Sequence, residues 1–101
     1  SQVTTPIEQP GETHVFHKYV MTVRSDRNKL RQHLSDAGIG TMVHYGSPLH
    51  NEPMFSTHVK PDAEFPEAER FSKEALSLPI YPELHDSEVD QICRELKKFN
   101  W

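Results

Sequence analysis

Three short runs of β character, set among three helical patterns and one long irregular connection, leave this chain few ways to fold. The first run, His14 to Val23, is rich in Val, Phe, Tyr and Thr and holds no Gly or Pro, which is the composition of a strand. Val15, Tyr19, Met21 and Val23 fall on one face and Phe16 and Val20 on the other, so burial on both sides is expected. Ser25 or Asp26 offers a side-chain oxygen to cap a helix. Leu30, Leu34 and Ala37 then repeat at helical spacing, and Gly38 supplies a left-handed stop. The helix is expected over 26–37. Thr41 to Tyr45 reads as a second strand. Pro66 suits the first position of another helix, whose apolar stripe is Ala68, Phe71 and Ala75, with Leu76 at its end. Ser77 to Tyr81 makes a third short strand, ended by Pro82. Asp86 or Ser87 caps a last helix carrying Val89, Ile92, Cys93, Leu96 and Phe99, and Lys97 and Lys98 near its end suit the negative pole of its dipole.

The order is β-α-β-loop-α-β-α. It predicts an α+β domain: a small three-stranded, mainly antiparallel sheet covered by three helices on one face. At 101 residues there is room for one domain and a modest core. Residues 1–12, with Pro6, Pro10 and Gly11 among polar residues, read as a flexible lead-in, and 13–101 as the domain. Gly46 to Glu64 is irregular for about 19 residues, a length that compact domains rarely keep unless it contacts something.

Composition excludes several classes. The formal net charge of −4 gives no attraction for nucleic acid or an anionic membrane. No apolar run approaches the roughly 18 residues needed to span a bilayer, and no secretory leader is visible, so a cytoplasmic location is expected. The single cysteine, Cys93, beside Ile92 and Leu96, reads as a buried, inert thiol.

Seven histidines raise the question of a metal. His14 and His17 point to opposite faces of the expected strand, and neither an H-E-x-x-H nor a paired-Cys spacing is present. No metal site is assigned. There is no G-x-S-x-G elbow around a nucleophilic serine and no glycine-rich phosphate loop. His44 and Tyr45 are better candidates. They end a strand before a bend, where side chains meet solvent or ligand, and both donate and accept hydrogen bonds. Read from the residues alone, the favoured reading is a strand-end pair that packs against the loop and satisfies its own polar groups. His50, after Pro48-Leu49, either turns back towards His44 or pins the loop by bonding a carbonyl. Glu67, Glu69 and Arg70 read as helix-dipole and ion-pair residues.

Two segments add a family resemblance. Gly38-Ile39-Gly40-Thr41-Met42-Val43-His44-Tyr45, continued by Pro48-Leu49-His50, and Phe65-Pro66-Glu67-Ala68-Glu69-Arg70, continued by Leu76-Ser77-Leu78-Pro79-Ile80-Tyr81-Pro82, occur in the order and spacing of two signatures of one family. With His14-Val15-Phe16-His17-Lys18-Tyr19-Val20-Met21 they resemble the small C-terminal domain of the DegT/DnrJ/EryC1/StrS aminotransferases. Gly46 departs from the pattern, since the family commonly has proline after the tyrosine. The resemblance implies a type I fold enzyme that uses pyridoxal phosphate to move an amino group, usually from glutamate, onto a nucleotide-linked keto sugar. It also implies a homodimer with active sites at the subunit interface, and a sugar pocket to which His44, Tyr45 and His50 contribute. The Schiff-base lysine and phosphate-binding groups belong to the family's larger domain. Lys18, Lys29, Lys60, Lys73, Lys97 and Lys98 do not sit in that lysine's context. No cofactor is therefore assigned to this chain, and no transaminase activity is expected of it alone. Its expected partner is a large pyridoxal-phosphate-binding domain, in the same or a separate chain. A free-standing sugar-nucleotide binding module, or an interaction partner of a separate catalytic chain, remains the alternative.

Overall fold

The computed structural model describes residues 2–101. The elements are β1 (Val3–Thr4), β2 (Tyr19–Val23), α1 (Arg27–Asp36), α2 (Pro66–Glu74), β3 (Ala75–Leu78) and α3 (Asp86–Lys98). Two single 3-10 turns, Leu49–Asn51 and Pro53–Phe55, punctuate the long connection. The strands form one antiparallel sheet in the order β1-β2-β3. Met21 pairs with Leu76 and Tyr19 with Leu78, and this register sets the core. Met21, Val23 and Leu76 meet Leu30 and Leu34 of α1, Ile39, and Ile92 of α3. The expected α+β sheet with three helices is therefore what the chain forms.

Local chemistry explains where elements start and stop. Gly38 has φ +79°, the left-handed value expected of it. The Ile39 amide reaches back to the Leu34 carbonyl at 2.8 Å, which closes α1 and turns Ile39 into the core. At the other end of α1, Asp26 does not cap with its side chain. Its backbone is itself left-handed, φ 59°, and its carboxylate pairs with Lys29 Nζ at 2.8 Å. Arg27 Nη1 donates to the Ala75 carbonyl at 2.9 Å and so ties α1 to the start of β3. Burial, then repulsion from Arg31, lowers its pKa from the ordinary value. For α3 the cap lies one residue earlier than expected: Glu88 Oε2 accepts the His85 amide at 2.8 Å. His33 Nε2 donates to the Glu95 carbonyl at 2.9 Å and joins α1 to α3.

Several expectations are corrected. The first strand begins at Tyr19, not His14, because Phe16 adopts φ 48° and donates its amide to His14 Nδ1 at 2.8 Å. A left-handed residue with a local bond cannot continue a ladder, and Val15 is left exposed. Within 1–12, Val3 and Thr4 pair with Val23 and Thr22 as an edge strand. The second strand, 41–45, shrinks to one bridge between Met42 and Ser77, since the chain turns at His44 and Tyr45. The third strand runs 75–78 rather than 77–81. Cys93 is exposed: α3 presses only Ile92, Leu96 and Phe99 against the core, which leaves Cys93 and Val89 outside.

The Cα radius of gyration is 15.9 Å, against about 13 Å for a compact chain of this length. The excess comes with long stretches that stand off the core, 53–58 and 60–71 being exposed throughout.

Candidate functional site

The long connection and α2 enclose a cleft of about 950 Å³. His44, Tyr45 and His50 all line it, so the structure brings the three candidates to one place. Ala68 and Phe71, from the apolar stripe of α2, also line the cleft, together with Phe65 and Phe55. Only Ser72 of α2 is fully buried. A helix with an apolar face turned to an open cleft is built to cover something other than its own core.

Each histidine is held by a residue of the second signature segment. His44 Nδ1 lies 2.8 Å from Ser77 Oγ on β3. Its ring meets Tyr45 edge-on at 5.2 Å. Tyr45 itself is 69% exposed, so its phenol is open to a ligand. His50 does not turn back to His44, and it does not bond a carbonyl. Its Nε2 lies 3.2 Å from Glu69 Oε1 of α2, and its ring lies against Phe65 at 4.5 Å. A carboxylate only accepts, so His50 donates from Nε2 and keeps Nδ1 as an acceptor when neutral. Ser77 and Glu69 were not among the residues singled out from the sequence for this site. Ser77 carried a signal, because it alternates with Leu76 and Leu78 and so falls on the other face of its strand. Glu69 carried none, since its partner is 19 residues away.

The cleft offers hydroxyl, imidazole and aromatic groups but no amine. No lysine lines it. Lys29 and Lys98 are paired with Asp26 and Glu95. The residues present therefore do not fit covalent attachment of an aldehyde cofactor such as pyridoxal phosphate, and no step through that group is assigned to them. Among the described residues no group of three or more His, Cys, Asp or Glu is placed to hold a metal ion. No helix among them is long and apolar enough to cross a membrane.

The model of the DegT/DnrJ/EryC1/StrS aminotransferase family matches residues 1–97, and the chain belongs to that family. It is 42% identical to a "pleiotropic regulatory protein" of Geobacillus stearothermophilus, over 96% of this chain and 26% of that protein. It is 40% identical to the dTDP-3-amino-3,4,6-trideoxy-alpha-D-glucose transaminase of Streptomyces venezuelae, over 93% of this chain and 24% of that one. The crystal structure of S. venezuelae DesV in complex with a ketimine intermediate superposes with a TM-score of 0.89 at 30% identity, covering 97% of this chain and 26% of that chain. The chain thus spans about a quarter of the length of these relatives.

Proposed function

We propose that this chain is the C-terminal lobe of a pyridoxal-phosphate-dependent nucleotide-sugar aminotransferase. The lobe closes the sugar pocket and contributes to dimer contacts, while a larger domain, in the same or a separate chain, holds the cofactor and performs amino transfer from glutamate to a keto sugar. The observation that carries this reading is the convergence of His44, Tyr45 and His50 on one apolar-walled cleft that lacks a lysine. Ligand pockets commonly combine an apolar lining with a few polar groups that fix orientation, and a sugar ring with its hydroxyls suits that combination. The lobe alone has no transaminase activity on this reading.

The test is a fusion in which this chain replaces the matching quarter of the S. venezuelae transaminase. In that fusion Tyr45→Phe and His44→Ala are expected to raise KM for the keto-sugar nucleotide severalfold while cofactor loading is kept. Unchanged KM and kcat for both variants would overturn the assignment of the cleft.

A further inference from the structure

Ser77 is 5% exposed, and its main chain is fully occupied by the bridge to Met42: the Ser77 amide donates to the Met42 carbonyl at 2.8 Å and the Met42 amide to the Ser77 carbonyl at 3.1 Å. Its hydroxyl meets His44 Nδ1 at 2.8 Å. No buried side-chain nitrogen or oxygen among the described residues lacks a partner. Two arrangements of that bond are possible in principle. In one, Nδ1–H donates to the serine oxygen, and the serine proton is left without an acceptor in a buried place. In the other, the serine hydroxyl donates to a bare Nδ1, and the serine gives up only unused lone pairs. An unmet buried donor costs about 1–3 kcal/mol, whereas an oxygen with a spare lone pair is commonly tolerated. The second arrangement wins.

We propose that Ser77 is a positioning residue that locks His44 in the tautomer protonated at Nε2. His44 then presents an N–H donor to the cleft, and the ligand group it selects is an acceptor oxygen, a carbonyl or phosphate oxygen. The partner histidine has its own Nε2 donated to Glu69 and keeps Nδ1 as an acceptor, so the two histidines are opposite in what they offer. The ligand part of this inference rests on the sugar-pocket reading above; the tautomer part does not.

The experiment uses the chain labelled with ¹⁵N at histidine, with long-range proton–nitrogen correlation in alkaline buffer. His44 is expected to show one bare nitrogen at Nδ1 and one protonated nitrogen at Nε2. Ser77→Ala is expected to move the two nitrogen shifts towards each other while the His33 signals stay in place, and Ser77→Thr to restore the wild-type pattern. A merely structural role for Ser77 would not move the tautomer. Nδ1-protonated His44 in the wild-type chain overturns the proposal without any variant, should Ser77→Ala fail to fold. An unmoved pattern in a folded Ser77→Ala overturns it as well. Addition of dTDP-glucose, as probe, to the fusion enzyme then separates the two readings. A downfield shift of the Nε2 proton supports the donor role, and silence of His44 with the tautomer intact overturns the sugar pocket and the ligand part of the proposal, while the lock by Ser77 stands on the tautomer result.

Discussion

Truncating Leu76 to alanine should destabilise both the core and the site, because this residue joins them. Leu76 is completely buried, pairs with Met21 across the sheet, and directly precedes the serine that holds His44. Removing a fully buried leucine side chain costs about 2–5 kcal/mol, the spread reflecting how far the surroundings collapse. Here Met21, Leu30 and Leu34 line the space from a strand and a helix that are themselves fixed, so collapse is limited and a loss of about 3 kcal/mol is expected. A domain of this size has a total stability of about 5–15 kcal/mol, so the variant loses a large fraction of it. At about 4–8 °C per kcal/mol the melting temperature falls by at least about 12 °C. Urea denaturation followed by far-UV circular dichroism is the assay, with the slope unchanged and the midpoint lowered. Leu49→Ala is the control: Leu49 is 72% exposed, and its loss should stay within about 0.5 kcal/mol. A cost below about 1 kcal/mol for Leu76→Ala, or equal costs for the two variants, would refute the placement of the core.

Three further expectations follow from single contacts. Gly38→Ala keeps free space around the new methyl group but forces φ +79° on a residue with a side chain, and should cost about 1 kcal/mol in the same urea titration. Lys98 Nζ donates to Glu95 Oε1 at 2.6 Å and holds the Glu95 carboxyl below its ordinary value of 4.5. The folded pKa is depressed, so this contact stabilises fully above the ordinary value and its contribution is lost as pH falls through the lowered one. The stability gap between wild type and Glu95→Gln should therefore narrow on acidification below pH 4.5, and a gap that widens there would contradict the assignment. Glu69→Ala frees His50 from α2; backbone order parameters across 46–64 should drop while the unfolding free energy changes by no more than about 1 kcal/mol, the usual limit for an ion pair with a solvent-facing carboxylate.

How much of this could be read from the sequence depended on whether a residue's partner was local. The α1 stripe, the Gly38 stop and the last helix were legible because helical period and left-handed glycine are short-range signals. The β character of 41–45 was also a local fact, but pairing was not. The turn at His44 and Tyr45 removes the chain from the sheet after Met42, and composition does not report that. The stripe on α2 was read correctly as apolar, but its members divide: Ala75 and Leu76 are buried, whereas Ala68 and Phe71 line the cleft. Period says which residues share a face, and it cannot say whether that face meets a sheet or an open cleft. Phe16 shows the converse: a good strand former is held left-handed by one hydrogen bond from its amide to His14. At the site, His44, Tyr45 and His50 were legible as candidates, while their supports Ser77 and Glu69, 33 and 19 residues distant, needed the fold.

The most direct measurement of the central claim is turnover of a keto-sugar nucleotide with glutamate and pyridoxal phosphate, by this chain alone and by the same chain fused to a cofactor-binding domain of its family. The account predicts no turnover above buffer for the chain alone and amino-sugar product from the fusion. Turnover by the chain alone, or a folded, cofactor-loaded fusion that makes no product, would contradict it.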